Sequence, residues 1–151
     1  MQAKIILFIL FSSLCVLNAI AQDANNNLML YEGNRQYKLK NYEEAQKYYQ
    51  KAIDAGSSDQ KTHFNLADTY YQQGKYKEAA TKFEELVNTA ETKKEKASAY
   101  HNLGNSWLKQ KEYQKSVDAY KNALKNNPAD DDTRYNLAYA QKKENDDALR
   151  S

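Results

Sequence analysis

The residues in this chain that could do chemistry are few, and their spacing argues against catalysis. The two histidines, His63 and His101, stand far apart, with no second His, Cys or paired carboxylate at metal-ligand spacing, so neither predicts a zinc-type centre. Asp130, Asp131 and Asp132 form an acidic run that lacks the alternating oxygens and central glycine of a calcium loop. It reads instead as the start of a helix, where carboxylates complement the positive end of the dipole. Four glycines in 151 residues leave little material for a phosphate-cradling loop, and no nucleophile elbow or H-E-x-x-H is present. The expectation is a protein that is not an enzyme and uses no cofactor and no metal. What remains is a set of carboxamides and aromatic rings, the chemistry of recognition: an amide both donates and accepts, and a ring offers contact area at modest entropic cost.

The elements that position these groups follow from an internal repeat. FNLADTYYQQGKYKEAATKFEELV and HNLGNSWLKQKEYQKSVDAYKNAL share one pattern, and YEGNRQYKLKNYEEAQKYYQKAI shares it more loosely. Tyr42, Tyr76 and Tyr113 occupy one position, 34 and then 37 residues apart. Ala45, Ala79 and Ser116 occupy a second, and Tyr49, Phe83 and Tyr120 a third. A period near 34 residues predicts stacked helix-turn-helix units. Ala67 and Gly104 mark where paired helices must approach closely, while Ala45, Tyr49 and Ala52, like Ser116, Tyr120 and Ala123, fall on one helical stripe. The three residues added within NTAETKKEK predict a longer helix or turn between the second and third units.

On these residues the chain resembles the tetratricopeptide repeat family, whose pattern runs W-x2-L-G-x2-Y, a small residue, an aromatic, Ala and Pro. The third unit carries Leu103, Gly104, Trp107, Tyr113, Tyr120, Ala123 and Pro128; the second has Glu91, and the first Glu32 and Ser57, where the pattern departs. Tyr135, Asn136, Leu137 and Ala138 reopen the unit after Pro128, with no second helix to follow. The resemblance implies an all-α, right-handed solenoid of three repeats at about 26–59, 60–93 and 97–130, with a capping helix at about 131–147. The polar tail supplies the outer face that a terminal repeat needs.

Function in this family lies on the concave surface lined by the first helix of each unit. Helical offsets of four and three place Asn34, then Phe64, Asp68 and Tyr71, then His101 and Asn105, then Tyr135 and Tyr139 on that stripe. Asn65, Asn102 and Asn136 sit beside it at a shared repeat position. The partner-binding set is thus Asn34, Phe64, Asn65, Tyr71, His101, Asn102, Asn105, Tyr135, Asn136 and Tyr139. A row of amides can pair with the backbone of an extended peptide or a helix segment. Some members grip a terminal carboxylate with two lysines, two asparagines and an arginine. Here Asn34 and Asn65 match, but Leu30 and Ser98 replace the lysines and Asn102 the arginine, so an internal or apolar segment is expected instead. The alternative for the asparagines and tyrosines is ordinary packing within the repeats.

Residues 1–21 have another character. Lys4, an apolar stretch from Ile5 to Leu17, and Ala19-Ile20-Ala21 read as a secretory signal cleaved before Gln22. The stretch is shorter than the roughly 20 residues of a membrane span, so no integral span is expected after cleavage, and Cys15 would leave with the signal. That segment holds one lysine and no acid, so of 22 basic and 20 acidic residues 21 and 20 remain. The balance is near neutral, without the basic stripe that nucleic-acid binding shows. The run from Asn102 to Lys142, with the signal and the short array, is similar to the small tetratricopeptide components of bacterial Bat (aerotolerance) operons. That likeness implies a periplasmic or envelope-associated adaptor with a membrane-anchored von Willebrand factor A domain protein as partner. Two other readings stand beside it: a cell-wall glycan-binding accessory protein that stacks sugars on its tyrosines, and self-assembly through the open end of the array.

Overall fold

A computed structural model describes residues 21–150, and every regular element in that range is helical. The signal expected over residues 1–21 lies almost wholly outside the described residues. The chain divides into two units, the first ending at Ser58 and the second beginning at Asp59. In the first, α1 (21–38) and α2 (Tyr42–Asp54) form a hairpin. Its core is Ala45, Tyr49 and Ala52, all at most 1% exposed. The stripe expected from their spacing is therefore the buried one. Gly33 lets α1 lie against the Tyr49 ring: a Cβ there would sit 2.6 Å from a ring carbon, closer than side-chain carbons approach.

The second unit holds α3 (Gln60–Gln72), α4 (Tyr76–Thr89), α5 (Lys93–Lys109), α6 (Tyr113–Asn126) and α7 (Asp131–Ala148). Two helix-turn-helix pairs are thus followed by a lone helix. Ala67, Ala79, Ala80, Phe83, Leu86, Val87, Ala99, Leu103 and Ala119 form its main core, with Phe64, Tyr70, Tyr71, Tyr100 and Trp107 packed against it. A smaller cluster of Val117, Tyr120 and Ala140, with Leu108 and Leu137, seats α7. Gly104 repeats the role of Gly33: a Cβ would lie 2.6 Å from the Tyr120 ring. Ser116, where the family pattern prefers Ala, is fully buried and donates to the Gly104 carbonyl at 2.9 Å. The small residue there fits because its hydroxyl finds a partner inside.

Helix ends follow local chemistry. Asp59, Thr92 and Asp130 cap α3, α5 and α7 by accepting the N–H three residues on, satisfying donors that a helix start leaves orphaned. Thr92 and Glu95 form a full capping box. The turns inside the hairpins share one pattern. Lys40, Gly74 and Lys111 have φ of 61°, 76° and 64°, and each donates three residues back while its successor donates five back. That is the left-handed helix end with two closing bonds, a position that favours glycine. The added residues between the second and third pairs fall at the start of α5, which runs 17 residues against 13 for α3.

Candidate partner-binding face

The site is built on α3, α5 and α7 of the second unit. Phe64 lies half-buried with its edge toward Phe83, ring centres 5.4 Å apart. Tyr71 packs the same way on Tyr76 at 5.2 Å. Burial pushes the Tyr71 hydroxyl above its usual range, with Tyr76 and Asp68 adding to the shift. Asn65 accepts the Thr69 hydroxyl on its backbone carbonyl at 2.6 Å. The Asn102 amide donates to the Ser98 carbonyl one turn earlier, at 2.9 Å.

The α5–α7 junction is tied by side-chain hydrogen bonds between the two helices. The Asn105 side-chain oxygen accepts from the Tyr120 hydroxyl at 2.6 Å and from the Asn136 amide at 3.2 Å. His101 Nδ1 and the buried Thr133 hydroxyl are hydrogen-bonded at 2.6 Å, and the Thr133 N–H donates to Asp130. A ring on α5 is thereby tied to the cap of α7. Burial lowers the His101 pKa, against the pull of Asp130 and Asp132. Asp130 is raised by burial, but the Thr133 N–H and hydroxyl outweigh this and hold it below the usual carboxylate range. Tyr120, deep in the core, has its hydroxyl pushed far up by burial.

Beyond this junction the surface opens. Tyr135 is 73% exposed and Tyr139 45%, and the Lys143 ammonium stands over the Tyr139 ring at 5.4 Å. Residues 64, 65, 71, 101, 102, 105, 135, 136 and 139 of the expected set thus share three helices of one unit. Asn34 lies in the first unit, where its side-chain oxygen accepts from the Tyr49 hydroxyl at 2.8 Å. Helical offsets place Asn34 and Asn105 on the concave stripe, but in the structure both hold a tyrosine of their own hairpin. The signal was available: Asn and Tyr stand 15 residues apart in both repeats. Nothing in the repeat pattern points to Thr133 as the bridge to His101. Among the described residues no three His, Cys, Asp or Glu side chains gather as a metal site. No helix among them is long and apolar enough to cross a membrane.

Paired helices with small residues at each crossing, turns of one type and a face drawn from alternate helices define a helical-repeat interaction protein. Two family profiles described as tetratricopeptide repeat match residues 30–100 and 97–130, and the chain belongs to the tetratricopeptide repeat family. A curated relative, the Hsp70-Hsp90 organising protein of Plasmodium falciparum (isolate 3D7), is 31% identical over 97 residues, which make up 62% of this chain and 17% of that protein. The chain thus spans about a sixth of that relative's length. Among solved structures, the first TPR of Spaghetti (RPAP3) bound to HSP90 peptide SRMEEVD superposes with a TM-score of 0.72 at 20% identity, over 85% of this chain and 95% of that one. The TPR2AB domain of yeast Sti1 gives 0.75 at 22% identity, covering 85% and 50%. The N-terminal domain of STI-1 from C. elegans gives 0.70 at 26% identity, covering 80% and 96%.

Proposed function

We propose that the protein is an adaptor that holds an extended, internal stretch of a partner protein against the α3–α5–α7 face, and that it works at the cell envelope. The observation that carries the first part is the exposure of Tyr135 and Tyr139 beside an amide, Asn136, that is fixed to Asn105. Exposed tyrosines on a rigid backing are the kind of group that anchors protein interfaces. Similar folds solved with HSP90 and HSP70 peptides support a peptide as the ligand class. A terminal carboxylate is not favoured: Ser98 and Asn102 stand where a cation would be needed, and the Asn102 amide is turned to the Ser98 carbonyl. The envelope location and a von Willebrand factor A domain partner are supported by the signal-like residues 1–21 and the likeness to Bat-operon components.

The test is affinity capture from detergent-solubilised envelope with the full, C-terminally tagged chain, beside a Tyr135→Ser, Tyr139→Ser variant of matched helicity. A membrane protein retained by the parent, lost with the variant and displaced by a peptide of its own sequence supports the adaptor. Equal retention by both chains, or none, defeats it. Sedimentation with purified peptidoglycan would then favour the glycan reading, and a mass that doubles with concentration in light scattering would favour self-assembly.

A further inference from the structure

The register shift between the second and third pairs leaves a cavity that the repeat pattern does not call for. α3 starts five residues before Asn65, whereas α5 starts nine residues before Asn102, so α5 carries an extra N-terminal turn, fixed by the Thr92–Glu95 capping box. Between that turn, the start of α3 and the end of α4 lies a cavity of about 400 Å3. Phe64, Leu86, Ala90 and Ala99 line its interior, and Gln60, Lys61, Thr92, Lys94 and Ser98 surround its mouth. Leu86 is 6% exposed and Ala99 1%, so the floor is continuous with the main core. Ligand cavities run from roughly 300 to 1,000 Å3. This one is at the small end, the size for one or two side chains rather than a cofactor.

Charge narrows the occupant further. Lys61 and Lys94 are exposed at the mouth, and neither is in an ion pair among the described residues. The acid of the lining, Glu95, is engaged: its carboxylate accepts from the Thr92 N–H at 3.0 Å and the Thr92 hydroxyl at 2.9 Å. These bonds to Thr92 keep its pKa below the usual range despite a small opposing effect of burial. The mouth therefore presents two ammonium groups against one carboxylate that is already bonded to Thr92, an excess of positive charge over an apolar floor.

We propose that this cavity receives an apolar side chain from an acidic internal segment of the partner, with Lys61 and Lys94 meeting the flanking carboxylates. The inference rests on the adaptor reading and adds to it a side-chain specificity on the α3–α5 edge of the face. Rim charges of this kind set encounter rate and salt dependence, while the buried side chain sets affinity.

The experiment is selection from a phage-displayed library of random peptides, each held internal by flanking linkers, against the full chain. Amide shift mapping follows with the strongest peptide, synthesised acetylated and amidated. Enriched sequences are expected to place Leu, Ile, Met or Phe beside Asp or Glu and to shift Phe64, Leu86 and Ala99. Ser98→Phe, at an exposed position on the mouth, is expected to plug the cavity and weaken binding by about tenfold or more with helicity unchanged. Lys61→Glu with Lys94→Glu is expected to remove the acidic preference and the salt dependence. Enrichment without acidic bias, or affinity unchanged in Ser98→Phe, overturns the inference. Binding that ignores Ser98→Phe but is lost in Tyr135→Ser, Tyr139→Ser overturns the cavity while leaving the adaptor standing; no enrichment at all overturns both.

Discussion

The Tyr120 hydroxyl donates to the Asn105 side-chain oxygen at 2.6 Å across the α5–α6 hairpin, and Tyr49 makes the same bond to Asn34 at 2.8 Å across α1–α2. The middle hairpin has Asp68 and Phe83 at these two positions. Phenol and amide thus change together: where the ring loses its hydroxyl, the residue opposite becomes a carboxylate. Tyr120→Phe should cost about 1 kcal/mol, the usual net value of such a bond, because Asn105 keeps Asn136 as a donor. Urea denaturation measures it. An unchanged midpoint would mean that the bond adds nothing to stability.

A second prediction concerns the helix crossings. Replacing glycine by alanine inside a helix ordinarily stabilises by up to about 1 kcal/mol. At Gly104 the new methyl would stand 2.6 Å from the fully buried Tyr120 ring, and overpacking costs about 1–3 kcal/mol. Gly104→Ala and Gly33→Ala should therefore lower the melting temperature, against the helix-propensity trend. A rise in either would show that the ring can move aside.

At the hairpin turns a gain is expected from introducing glycine. Lys40 and Lys111 hold left-handed φ of 61° and 64°, where Gly74 in the middle hairpin has no side chain to strain. Lys111→Gly should stabilise by up to about 1 kcal/mol, and Gly74→Ala should destabilise by a similar amount. Thermal melts of the two variants should move in opposite directions; a shared direction would contradict the account.

Acidification should weaken the α5–α7 junction. Burial holds the His101 pKa below its ordinary 6.5, so the folded protein favours the neutral ring. Between the unfolded and folded values the unfolded chain binds more protons, so stability is present above pH 6.5 and is lost as pH falls through the folded value. Asp130 and Asp132 face the ring and oppose the shift without reversing it. His101→Asn should flatten that part of the pH–stability curve, as followed by urea midpoints, and an unchanged curve would exclude His101 as its source.

Most of the fold was legible because the repeat encodes packing directly. Ala45, Tyr49 and Ala52, like Ser116, Tyr120 and Ala123, are buried as their spacing requires, and Gly104 sits at a close crossing. The face was legible only as a list of positions. Helical offsets say which residues share a stripe, but not that Asn105 spends its oxygen on Tyr120 and Asn136, nor that Asn102 turns back to Ser98. Those choices depend on distances between helices. The cavity beside Phe64 was hidden for the same reason: three added residues in a sequence show a shifted register, and only the placement of α5 turns that shift into a space.

Bonds between helices link residues close along the chain: Asn105 and Tyr120 are 15 apart, and Gln110, whose amide donates to the Tyr76 carbonyl, is 34 from its partner. Chain segments that short find each other quickly, so little loop-closure entropy stands in the way of the transition state. Each hairpin can nucleate by itself and recruit its neighbour. The protein should reach its native state on the microsecond-to-millisecond scale typical of local topologies, before apolar residues such as Leu86 and Ala99, buried once folded, have long to find a wrong partner.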